Sequence, residues 1–243
     1  MMEATKIRRG DLYLNNIVFA EGLCFYKLFC AFVIGGVLGD LIETIFCKIR
    51  TKKWMRRCSF VYGHLSVVWG FAFVIATILF YKVGDRNSFS IFLIGTLLGG
   101  IYEYFCSLFT EYLMGAKFWD YSQIPCNIAG RINLVYCTFW GFATVLWMNI
   151  VFPLLNYLIE KIPVYHGTFI CNILLLCILN DAVISFMAIK RYIIRNTKSC
   201  NTSRFWMAFD KLYSDQRIEK IYENLKICNL KENETDSNRL SFS

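Results

Sequence analysis

The sequence predicts an all-α, polytopic membrane bundle with about five transmembrane helices, built around a duplicated helical hairpin. Three observations predict it. Hydrophobic residues make up 56% of the 243 residues and charged residues only 18%, against roughly 25% charged in an ordinary soluble domain. The apolar residues gather into five runs long enough for a hydrocarbon core of roughly 30 Å. Two of those runs share one spacing of glycines and a glutamate.

The runs are 23–46, 65–83, 89–113, 132–155 and 168–189. Only helices satisfy every backbone group within such a run, so each reads as a helix. The first begins near Leu23 and is too long for a signal h-region, so no cleaved signal peptide is expected. The fifth carries Asn172, Asn180 and Asp181 within its apolar run. Residues 1–190 therefore read as a transmembrane domain, with hairpins at about 23–83 and 89–155 and a fifth helix at about 168–189.

Beyond residue 190 the character changes. Trp206, Phe209, Tyr213, Ile218, Ile221, Tyr222 and Leu225 stand among charges at helical spacing. This predicts short amphipathic cytoplasmic helices over 191–243, resting on the membrane or on a partner. The last stretch, KENETDSNRLSFS, has a disordered composition.

The net charge is +8. The basic residues sit in short segments flanking the apolar runs, a membrane orientation signal and not a nucleic-acid footprint. Lys48, Arg50, Lys52, Lys53, Arg56, Arg57, Lys117, Arg131, Lys190, Arg191, Arg195 and Lys198 fall on one side. Lys6, Arg8, Arg9, Lys82, Arg86 and Lys161 fall on the other. The positive-inside rule then predicts a multi-pass protein of the cell membrane, N-terminus outside and C-terminus cytoplasmic. The eleven cysteines are scattered without a CxxC pair and read as reduced small hydrophobes.

The repeat is the most specific feature. Gly35, Gly39 and Glu43 have the spacing G-x3-G-x3-E, and Gly95, Gly99 and Glu103 reproduce it 60 residues later. Each set is followed by a polar loop and then by WGFA, at 69–72 and 140–143. Glycines four apart line one helix face and let another helix approach closely. The expectation is that the first and third spans cross at these glycines and bring Glu43 and Glu103 together. The plain alternative is ordinary glycine packing with acids solvated by headgroups.

Ionisable groups inside spans are costly and usually functional or internally paired. Asp40 lies one turn before Glu43. Arg57, His64 and Arg131 stand at the ends of the following spans as partners. The site candidates are thus Glu43, Glu103, Asp40, Arg57 and His64, joined by Trp119, Asp120, Asn127 and Arg131 of the second loop. That loop, GAKFWDYSQIPCNIAGRINL, is rich in ligand-binding side chains, and Pro125 and Gly130 break helix in it; its Trp and Tyr also suit interfacial anchoring. No P-loop, G-x-S-x-G or HExxH pattern occurs, and the two histidines are His64 and His166. No catalytic residue and no cofactor is expected, and the residues leave the identity of any bound metal open.

The run GDLIETIF…RCSFVYGHLSVVWG, with GGIYEYFCSLFTEYLMGAKFWDYS and NIAGRINLVYCTFWG, resembles the CmpB family of ABC-transporter type IV, permease-like membrane proteins. The likeness covers roughly residues 30–155, and FDKLYSDQRIEKIYENL is similar to the family's C-termini. It implies a bacterial-type permease component working with a separate ATPase subunit in the lipid bilayer.

Three functions stand at this point. One is a permease-like component moving a small solute or ion, acting alone or as a homo-oligomer. One is a membrane-embedded enzyme acting on a lipid or isoprenoid substrate. The third is a membrane scaffold or sensor that recruits a partner through its tail.

Overall fold

The computed structural model describes residues 18–81, 87–197 and 203–228. Among them are seven helices and almost no strand. α1 is Phe25–Thr51, α2 Val67–Phe80, α3 Ser88–Met114, α4 Leu134–Ile159, α5 Val164–Thr197, α6 Arg204–Leu212 and α7 Asp215–Ile221. The chain is a multi-pass membrane protein: α1, α3, α4 and α5 are long and apolar enough to span. α2, read as the second span, has 14 residues. At 1.5 Å per residue it reaches only about 21 Å, short of the roughly 30 Å core.

The bundle is apolar on its outside. Leu97, Leu176 and Phe109 are more than 60% exposed along their helices, the reverse of a water-soluble surface. α4 contains a π-turn at Trp147–Val151 just before Pro153. Proline lacks an N–H and clashes with the carbonyl one turn back; the wider turn absorbs both defects and leaves the helix continuous. α3 ends at Gly115, whose φ of +77° fits a glycine cap and whose N–H closes on the Glu111 carbonyl.

The glycine seams correct one expectation. They do not join α1 to α3; each closes its own hairpin. A Cβ on Gly39 would stand 2.1 Å from Trp69 Cγ, and one on Gly99 2.4 Å from Trp140 Cβ. Gly35 and Gly95 meet Phe73 and Thr144 in the same way. The seam face is as read from the spacing, but the helix it receives is the next one in the chain. The two hairpins then meet through a core that includes Ala31, Phe73, Phe80, Ile91, Trp147 and Phe152.

α5 packs at one end against Phe19, Phe29 and Ile159 through Cys171. At its other end it joins the loops and the tail, where Val61, Ala116, Ala188, Ile189, Tyr213, Ile218 and Tyr222 form a buried cluster. The described tail therefore rests on the chain's own loops. Arg191 and Arg195 bind Asp210, and Arg195 also binds Asp215. Strand β4 (Lys226–Ile227) pairs antiparallel with β1 (Ala116–Lys117) of the second loop. A second small ladder, β2 (Asn127–Ile128) with β3 (Ile132–Asn133), shapes that loop. The terminal stretch 231–243, and Lys6, Arg8, Arg9, Lys82, Arg86 and Lys198 of the charge count, lie outside the described residues.

Candidate functional site

The two repeat motifs build the same device twice. Each glycine makes room for the tryptophan of the following WGFA, and one turn further on the glutamate meets that indole. Trp69 Nε1 donates to Glu43 Oε1 at 2.5 Å, and Trp140 Nε1 donates to Glu103 Oε2 at 2.9 Å. A group from the intervening loop takes the other carboxylate oxygen. Arg57 Nε donates to Glu43 Oε2 at 2.8 Å, and the Tyr121 hydroxyl donates to Glu103 Oε1 at 2.8 Å.

The two halves differ in charge. Glu43 has a guanidinium against it. Burial disfavours the charge on Arg57, but the Glu43 carboxylate outweighs that, and the Arg57 pKa is raised above the ordinary arginine value. Glu103 is buried, 6% exposed, and has no basic partner among the described residues. Its donors are neutral. Burial, and then the charge of Glu103, push the Tyr121 phenol well above the usual tyrosine range, so it stays a proton donor. The Tyr121 ring stacks on Tyr136 at 4.6 Å, and Tyr136 is held by Arg50 Nη1 at 2.6 Å.

Both glutamates line one cavity of about 590 Å³ at the end of the bundle that carries the basic loops. Arg56, Arg57, Tyr121 and Glu223 give it polar walls; Val68, Phe71, Ile75, Phe109 and Phe186 give it apolar ones. Trp119 also lines it. Towards the other end of the bundle the way is filled by aromatic pairs, Trp69 on Trp140 with centroids 4.6 Å apart and Phe73 on Trp147 at 4.3 Å.

The remaining candidates are placed elsewhere. Asp40 is buried and meets the largely exposed His64 at 3.3 Å; its Oδ1 has no hydrogen-bond partner. Arg131 binds Glu111 and Ser107, away from both repeat glutamates. Trp119 Nε1 donates to the Arg131 carbonyl at 2.9 Å. Asp120 accepts from the Ser122 N–H and pairs with Lys226 at 3.0 Å. Those contacts, the backbone bond first, hold its carboxyl well below the usual aspartate range. Asn127 bonds the Ile124 carbonyl and the Gly130 N–H. The second loop thus spends these polar groups on its own fold. Gly130 is required there: its φ is +65°, and a Cβ would stand 2.9 Å from Asp120 Oδ1.

Sequence reasoning missed three groups. Trp69 and Trp140 were visible only as repeat markers, although tryptophan is the side chain that can fill a glycine notch and still donate a hydrogen bond. In the sequence, Asp181 of α5 shows only as polarity in a span. It accepts from the N–H groups of Tyr62 (3.3 Å) and Gly63 (2.6 Å) and from Ser185, whose hydroxyl in turn accepts from the Val61 N–H. Lys27 is fully buried near the other end of the bundle and pairs with Glu160 at 3.1 Å. Among the described residues, no three His, Cys, Asp or Glu side chains gather in a way that would hold a metal.

No curated protein and no solved structure matches the chain. A family model described as "Putative ABC-transporter type IV" matches residues 30–186, more than half of the sequence and both hairpins with most of α5. The chain belongs to that family, the ABC-transporter CmpB family.

Proposed function

We propose that the chain is a permease-like component of an ATP-driven transporter in the cell membrane, and that its solute site is the cavity between Glu43 and Glu103. The observation that carries this reading is the convergence of both repeat glutamates on one cavity, each held by the indole of its own hairpin. Duplicated elements flanking a charged site are how many transporters build a binding centre. Carboxylates in a low-dielectric setting select a cation or proton. The positive charge of the loops around this cavity supports a cytoplasmic opening and an external N-terminus. Family membership supports a separate ATPase as partner.

The test begins with the chain tagged and extracted from its native membrane. An ATPase should copurify. Reconstituted together in vesicles, the pair should accumulate labelled methylammonium on addition of ATP, and Glu43→Gln/Glu103→Gln should cut the accumulation about tenfold or more. Undiminished accumulation by that variant removes the acids from the mechanism.

A further inference from the structure

We propose that the cavity takes an amphiphile with a cationic head, a long-chain amine or quaternary ammonium, which enters sideways from the bilayer. The proposal rests on the reading of the cavity as the solute site and names its substrate class.

The head is specified by Glu103. This carboxylate is buried and lines the cavity, and its two donors, Tyr121 and Trp140, are neutral. Its charged neighbour is Glu43, of the same sign, and the charge of Glu43 is already matched by Arg57. A buried carboxylate without a counter-ion is costly. A cation on the ligand supplies one. The rings of Tyr102, Tyr121 and Trp140 border the same space, and aromatic faces attract ammonium groups within about 6 Å of the ring centre.

The tail is specified by the wall. Phe71 and Ile75 of α2 and Phe109 of α3 line the cavity and are 50%, 40% and 61% exposed. That wall therefore reaches the bilayer-facing surface, where hydrocarbon can slide in without crossing polar groups. On the loop side the same cavity is bounded by Tyr222 and Leu225 of the docked tail. Its volume of about 590 Å³ falls in the range of small-molecule sites, roughly 300–1,000 Å³. Arg56 also borders the cavity, and its Nε and Nη2 have no hydrogen-bond partner. An anionic amphiphile is therefore the rival occupant.

The experiment uses the purified full chain in an uncharged maltoside detergent and measures equilibrium binding of labelled dodecyltrimethylammonium. Wild type should bind it, and Glu103→Gln should weaken binding about tenfold or more, as expected for one lost charge-assisted contact. Gln keeps one acceptor oxygen for the Trp140 N–H, and its amide N–H can donate to the Tyr121 hydroxyl; an unchanged melting temperature confirms the fold. Ala182→Phe narrows the cavity wall without touching either glutamate and should weaken the probe as well. Tetramethylammonium, the head without its chain, should bind more than about a hundredfold more weakly, since each buried methylene contributes. Dodecyl sulfate binding as tightly as the cationic probe overturns the proposal. So does an unchanged affinity in Glu103→Gln, or tetramethylammonium equal to the long-chain probe. Specific binding by a chain that shows no ATP-driven accumulation upholds this inference and ends the permease reading. Accumulation of methylammonium through Glu43 and Glu103 without amphiphile binding upholds that reading and ends this inference.

Discussion

The indole rings of Trp69 and Trp140 lie 4.6 Å apart at 37° to each other, and each gives its N–H to the glutamate of its own hairpin. The two repeats therefore touch through the same residue type that orients their acids. Glycine, tryptophan and glutamate act as one unit: remove the notch and the indole moves, and with it the carboxylate.

Gly39→Ala and Gly99→Ala should each destabilise the bundle, because the new Cβ would overlap an indole at 2.1 or 2.4 Å. Overpacking of this kind costs about 1–3 kcal/mol. Thermal melting in detergent measures it. An unchanged melting temperature in both variants contradicts the notch.

Asp181 should act as the clamp between α5 and the first loop. Asp181→Ala removes the acceptor of the Tyr62 and Gly63 N–H groups, at a cost of about 0.5–1.5 kcal/mol per bond, since water can reach these partly exposed donors. Hydrogen exchange read by mass spectrometry should show faster exchange at residues 61–63, with the hairpin cores unchanged. Equal protection in the variant argues against the clamp.

Docking of the tail should depend on pH at the acid end only. Asp210 is held below the usual aspartate range, first by its hydrogen bond from Arg191 and further by Arg195. A depressed folded-state value means that its contribution is fully present above the unfolded pKa, about 3.9, and is lost as pH falls through the lower folded value. Protection of α6 and α7 against hydrogen exchange should thus be flat from pH 5 to 8. Asp210→Asn should reduce it throughout that window. Protection that instead falls between pH 8 and 6 would assign the docking to another group.

Lys27 and Glu160 should behave asymmetrically. The lysine side chain is 0% exposed and the glutamate side chain 40%. Glu160→Gln leaves a buried ammonium without its carboxylate, whereas Lys27→Met leaves a glutamate that water can reach. The melting temperature should fall further in Glu160→Gln than in Lys27→Met. The double variant should recover to the level of Lys27→Met. Additive losses would mean that the pair is not coupled.

Spans were legible in the sequence because hydrophobic length is a local property. α1, α3 and α4 begin within about two residues of the apolar runs that announce them, inside the ordinary error of boundary reading. α5 runs on to Thr197, past the apolar limit at Ile189, because Arg191 and Arg195 are neutralised by a tail more than a dozen residues away in sequence. Pairing at that distance leaves no mark on hydropathy. The repeat exposed Glu43, Glu103 and the glycine face, since each is a matter of spacing. It did not say which helix fills the face, and the nearer one did. Arg57, ahead of the second span, meets Glu43 of the first helix. Arg131, at a similar place in the second hairpin, turns to Glu111 instead, and Tyr121 takes its role. Spacing cannot rank two donors on one loop; the turn at Gly130 and the strands β2 and β3 do.

The central claim, that the two glutamates serve one site, is tested most directly by a double-mutant cycle on ATP-driven methylammonium accumulation. Glu43→Gln, Glu103→Gln and the double variant are compared in vesicles at matched protein content. A shared site predicts that each single variant loses about tenfold or more and that the double variant is no worse than the weaker single. Losses that multiply, or a double variant as active as wild type, would show that the two carboxylates do not work on the same solute.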